Sequence, residues 1–252
     1  MEKNRKSSWL RKLLIGLAVM IVIAAGAFFW YINDYYQATA AAIKALRSDG
    51  SVTITETAKA ITFEPNGAEP EAGVIFYPGG KVEAEAYAPL LRQLAEEELL
   101  VVVAKMPFHL AVFDADAAET IMVQENDIED WYLAGHSLGG VMASSFAADQ
   151  SEEVAGLILL ASYPSGDLTD APFPVLSIYG SEDAVLNRAS YQEAQAKLPD
   201  DYTEVELVGG NHGQFGDYGP QAGDGAATLS ADQQQQQTVE AITAFIANNR
   251  QP

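Results

Sequence analysis

Six short, largely apolar runs spaced along the chain do most to limit what its 252 residues can fold into: Gly73–Tyr77, Leu99–Ala104, Trp131–Ala134, Leu157–Ala161, Val175–Tyr179 and Glu204–Val208. A run that stays apolar at consecutive positions has no wet face, so it suits a strand covered on both sides. Between the first two, Tyr87, Leu90, Leu91 and Leu94 recur at helical spacing, and Ser230 with Gln233 makes a capping box that opens a last helix through Val239, Ile242 and Phe245. Ser51 to Phe63 instead alternates apolar and polar residues, which predicts a pair of short antiparallel strands. Strands alternating with helices predict an α/β domain with a mostly parallel central sheet and helices on both faces. In such a sheet ligands bind beyond the carboxyl ends of the strands, so the chemistry is to be sought just after each one.

Ahead of this pattern, Leu13 to Ile32 is uncharged over 20 residues. At 1.5 Å per residue it matches the roughly 30 Å of a bilayer's hydrocarbon core. Lys3, Arg5, Lys6, Arg11 and Lys12 precede it, Asn33 and Asp34 follow it, and Phe28 to Tyr31 sit where an interfacial aromatic belt belongs. The expected organisation is a basic cytoplasmic segment (1–12), a transmembrane signal-anchor (13–32), a helical stalk or linker (33–50) ending near Asp49-Gly50, and the α/β domain (51–252) outside the membrane. A cleaved signal peptide is the competing reading, because Ala25-Gly26-Ala27 and Ala38-Thr39-Ala40 resemble processing sites; the domain would then be secreted.

The chain's net charge is −21, but five of its 14 basic residues and only one of its 35 acidic ones precede the apolar run, leaving nine against 34 from Asn33 onward. Such a field repels nucleic acid and excludes it as a partner. The absence of cysteine excludes disulfides, a thiol nucleophile, a cysteine metal site and lipoprotein-type acylation. The five glutamines from Gln233 to Gln237 are expected to form a solvated face of the last helix.

Trp131 to Gly140 reads WYLAGHSLGG, which places Gly-x-Ser-x-Gly directly after an apolar strand and before the helical run Val141 to Ala148. The bare pattern is weak evidence; the strand before and the helix after it make Ser137 a candidate nucleophile. The strand-to-helix turn is so tight that only small residues fit two before and two after the serine. A serine hydroxyl needs an imidazole to take its proton, and the chain offers three. His212 follows the last apolar strand in a glycine-rich loop and is the expected general base. His136, beside the serine in sequence, is expected to point away, and His109 to line the mouth or lie on a surface loop.

The segments FYPGGKV at Phe76, WYLAGHSLGG at Trp131, SIYGSED at Ser177 and GGNHGQFGDYGPQAGDG at Gly209 together resemble the α/β-hydrolase superfamily, in particular a bacterial group of small enzymes with a Gly-His-Ser-Leu-Gly-Gly elbow. The resemblance runs from about Ala72 to the C-terminus. It implies the α/β-hydrolase fold, ester or related acyl hydrolysis without a cofactor, and a carboxylate at a strand end between the serine and the histidine. Asp183 fills that place, with Glu182 its nearest competitor. The Gly79-Gly80-Lys81 turn supplies the oxyanion loop, with the Gly80 amide the first candidate donor, Lys81 the next, and Leu138 the partner just after the nucleophile. Relatives with a dienelactone hydrolase label use cysteine where this chain has Ser137, which puts that activity in doubt. Only Ser162 to Phe173 separates two strands where many relatives insert a helical lid, so an open site is expected for a small acyl or ester substrate. An acyltransferase on the same residues and a non-catalytic binding protein that kept the fold are the alternatives.

Overall fold

The computed structural model describes residues 3–250 except Ala68, and side chains from Trp9 onward. The chain forms two compact units, one ending at Tyr35 and one running from Tyr36. The first is a single helix, α1 (Lys3–Asn33). Within Trp9–Asn33 an 18-residue window reaches a mean hydropathy of 2.6, so α1 is long and apolar enough to cross a membrane.

The second unit is an eight-stranded sheet in the order β1-β2-β4-β3-β5-β6-β7-β8. The strands are β1 (Val52–Glu56), β2 (Ala60–Pro65), β3 (Ala72–Tyr77), β4 (Leu100–Ala104), β5 (Asp130–His136), β6 (Gly156–Leu160), β7 (Val175–Gly180) and β8 (Tyr202–Leu207). β1 and β2 run antiparallel to each other, β2 runs antiparallel to β4, and the remaining pairs are parallel. The helices of this unit are α2 (Ala40–Ala45), α3 (Ala88–Glu96), α4 (Ala117–Gln124), α5 (Leu138–Asp149), α6 (Arg188–Ala194) and α7 (Ala231–Asn249).

Central strand β3 shows why the apolar runs do not alternate. Val74 and Phe76 belong to a core shared with α3 and α7, whereas Ile75 and Tyr77 belong to a second core with Ala143 and Phe146 of α5. Both pleat faces are therefore buried. Leu90, Leu91 and Leu94 of α3 are fully buried, each contributing about 2 kcal/mol by removal of apolar surface from water. In register, Tyr77 lies opposite Gly135 and His136 opposite Leu160, so β3, β5 and β6 end together at one edge of the sheet.

Two sequence expectations differ from the structure. The helix expected in the stalk over 33–50 is confined to Ala40–Ala45, capped by the Thr39 hydroxyl. Upstream of it the backbone is claimed elsewhere: Tyr36 N–H donates to the Lys81 carbonyl at 2.7 Å and Glu83 N–H to the Tyr36 carbonyl at 3.0 Å. The glutamine run is a solvated face only in part: Gln233, Gln236 and Gln237 are exposed, but Gln234 and Gln235 are buried. Ser230 does cap α7 in a full capping box with Gln233, which fixes the phase that turns those two inward. The segment between β6 and β7 carries no helix, as its length led one to expect.

Candidate active site

Ser137 sits between β5 and α5 with φ 51° and ψ −122°, a conformation that costs a non-glycine residue energy. The bend holds because its neighbours leave no alternative. A β-carbon on Gly135 would lie 2.5 Å from the Gly140 nitrogen, and one on Gly139 would lie 2.1 Å from the Tyr77 carbonyl oxygen. Both contacts are with backbone, so glycine is required on either side of the serine. Ser137 N–H donates to Leu160 O at 2.9 Å, and the Ser162 hydroxyl donates to Ser137 O at 2.7 Å, which pins the elbow to β6 and the loop after it.

Asp183, in the turn after β7, and His212, in the loop after β8, come together with Asp183 Oδ2 2.9 Å from His212 Nδ1, both groups buried. Asp183 Oδ1 accepts the amides of Val185 at 2.9 Å and Leu186 at 2.8 Å. Burial works to raise the Asp183 pKa. The hydrogen bond and charge of His212 and the two amides outweigh it, and the carboxyl falls below its ordinary 3.8. Its competitor Glu182 is exposed and accepts only from the Ser181 hydroxyl among these groups. His212 Nε2 is buried and makes no hydrogen bond, which leaves free the nitrogen a general base would use. The His212 ring lies 4.6 Å, centroid to centroid, from the ring of His136, the residue before Ser137.

Of the amides in the Gly79–Lys81 turn, which holds the candidate oxyanion donors, two are already engaged. Gly79 N–H donates to the Tyr87 hydroxyl at 2.9 Å and Lys81 N–H to the His109 carbonyl at 2.7 Å, so Lys81 is committed and Gly80 stands between the two. A β-carbon on Gly80 would meet the Leu138 side chain at 2.9 Å, so this loop packs against the first residue of α5. Leu138 N–H, at the helix start, has no intrahelical acceptor.

Contrary to the expectation that it points away, buried His136 packs its ring against that of the candidate base. Its Nδ1 lies 2.8 Å from the buried Tyr87 hydroxyl. Burial drives the Tyr87 pKa upward, so the phenol keeps its proton. Because that oxygen already accepts from Gly79, its proton is the one available to Nδ1. Gly79, Tyr87 and His136 thus link the turn after β3 to the end of β5. Gln234, another residue the sequence did not single out, accepts Asn211 N–H with Oε1 at 2.9 Å and donates to Asn211 O with Nε2 at 2.8 Å, bracing the residue before His212. His109 is half-buried beside the loop at φ 56°, and burial lowers its pKa against the opposing charges of Glu83 and Glu85. A groove of about 700 Å³ lined by Thr55, Thr62, Glu64 and Ile121 among others lies on the face of β1, β2 and β4 and includes none of the candidate residues. Among the described residues no group of His, Asp and Glu is arranged to hold a metal ion.

Comparison with solved structures finds this architecture in proteins of remote sequence. A predicted CIB-like hydrolase from Thermoplasma acidophilum superposes with a TM-score of 0.58 at 13% identity, covering 77% of this chain and 100% of its own. Est1E from Butyrivibrio proteoclasticus gives 0.58 at 15% identity over 79% and 98%. A membrane phospholipase A described as a bacterial virulence factor gives 0.62 at 14% identity over 96% and 100%. At these identities the likeness is one of fold. No curated protein matches the sequence. Residues 73–236, which hold every candidate residue named above, match the model of the Alpha/beta hydrolase family, and the chain belongs to that family.

Proposed function

We propose that this hydrolase is a serine enzyme that cleaves ester or related acyl bonds, with Ser137 as nucleophile, His212 as general base and Asp183 as the carboxylate that orients it. The observation that carries the reading is the buried Asp183–His212 pair, its ring packed against the residue that precedes a serine held on a strained elbow. Ser137 Oγ attacks the carbonyl carbon while His212 Nε2 takes its proton. The Gly80 and Leu138 amides receive the oxyanion, and the imidazolium then protonates the leaving alcohol. Water, deprotonated by the same imidazole, releases the acid and restores the serine. Asp183 keeps the proton on Nδ1, so that Nε2 is the basic nitrogen, and stabilises the imidazolium formed at each step.

The same proposal places the domain outside the membrane with α1 as its anchor, supported by the helix's hydropathy and by the basic residues at its start. Ser137→Ala is expected to abolish both labelling by a fluorophosphonate and cleavage of a panel of neutral esters, with the thermal midpoint preserved. The panel includes a phospholipid because one structural neighbour is a phospholipase. Labelling retained in the folded variant would refute the assignment.

A further inference from the structure

Beyond His212 the chain runs through a Gly-, Asp- and Gln-rich segment, residues 213–225, to which the catalytic reading gives no task. Its end returns to the chemistry. Asp224 Oδ2 accepts Gly213 N–H at 2.8 Å, and Oδ1 faces the amides of Gly225 at 2.8 Å, His212 at 3.3 Å and Ala184 at 3.3 Å. One carboxylate thus collects backbone donors from the base, from the residue after the base and from the residue after the acid. Next to it, Asn211 Nδ2 donates to Gly225 O at 2.8 Å. A β-carbon on Gly225 would lie 1.8 Å from the Glu182 carbonyl oxygen, so this end of the segment is wedged directly against the acid turn.

The segment is also held from outside. Asp217 N–H donates to Ala86 O at 2.7 Å, and Ala222 N–H to the Tyr36 hydroxyl at 3.0 Å. Asp224 is therefore delivered to its place by contacts that do not depend on His212. A carboxylate accepts on both oxygens and donates on neither, which is what amides converging from both sides require.

We propose that Asp224 is a positioning residue for His212: it fixes the base loop to the acid turn so that the imidazole meets both Asp183 and the nucleophile. The inference rests on the serine-hydrolase reading above. Displacement of a catalytic group by about 1 Å costs on the order of 100-fold in rate, so a loosened loop is felt in the chemical step more than in substrate binding.

The test uses the full-length chain in detergent, with kcat and KM measured on a neutral ester that the wild type cleaves and the fluorophosphonate labelling rate followed in parallel. For Asp224→Ala, kcat and the labelling rate should fall together by roughly 10- to 100-fold, with KM within about twofold and labelling still reaching completion. Asp224→Asn keeps one acceptor oxygen but turns an amide toward Gly213 N–H, so a smaller loss in the same direction is expected; it decides the matter if the alanine variant does not fold. A folded Asp224→Asn or Asp224→Ala with wild-type kcat, or with its loss confined to KM, overturns the inference. Ser137→Ala run alongside separates the failures. If it keeps activity, the hydrolase assignment falls and this inference with it; if it is inactive while Asp224→Asn retains wild-type kcat, only the role of Asp224 falls.

Discussion

At the scale of single residues, His136 ties stability to acidity. Burial, with the charge of His212 adding to it and the His212 backbone opposing, holds its pKa well below the ordinary 6.5. The unfolded chain takes up a proton on this side chain near pH 6.5, whereas the folded one does not until the solution is much more acidic. Stability is then highest above pH 6.5 and declines as pH falls below it, with a slope approaching about 1.4 kcal/mol per pH unit from this group. Urea unfolding of the wild type and of His136→Gln between pH 7.5 and 5 should show the steeper decline in the wild type; equal slopes would dismiss the argument. The candidate-site residues legible in the sequence were those whose place is written in their neighbours. Ser137 is framed by glycines that backbone contacts demand, and Asp183 and His212 each follow a strand. Tyr87, Asp224 and Gln234 were not legible because each acts on backbone atoms distant in sequence, and nothing in a tyrosine, an aspartate or a run of glutamines shows which amide it will meet.

For the elements, periodicity located the strands well because a sheet buried on both faces has a strong local signature. It failed between Asp34 and Thr39, where alanines downstream suggested a continuous helix but a bridge from Tyr36 to Val82 takes the backbone instead. The expected linker is thus built into the second unit: Ala42 is fully buried, Ala38 N–H donates to Glu83 Oε2 at 2.7 Å, and Thr39 N–H donates to Asp217 O at 3.0 Å. A fragment starting at Asp34 should fold cooperatively, whereas one starting at Gly50 forfeits these bonds and those of Tyr36. At about 1 kcal/mol for each hydrogen bond the loss should be at least about 3 kcal/mol, read from chemical denaturation of the two fragments. Equal stability would mean that the segment is the tether its composition suggested.

For the whole molecule, the excess of 34 acidic over nine basic residues from Asn33 onward sets a negative field around the site. Raising ionic strength from about 10 to 150 mM shortens the screening length from about 30 to 8 Å. The kcat/KM for an anionic ester should therefore rise with salt while that for a neutral ester of the same acyl group stays flat; a parallel response of the two would show that the field does not reach the site. The same charge bears on the open border of the sheet. Among the described residues β8 has no neighbouring strand on its outer side, and Tyr202, Thr203 and Glu204 lie exposed along it with Glu206. Glu204 is engaged by Tyr191 and Gln195, and Glu206 is left at the rim. Another molecule offering its own β8 edge-on would crowd like carboxylates along the seam, so the border that could have seeded stacking into fibres carries its own deterrent.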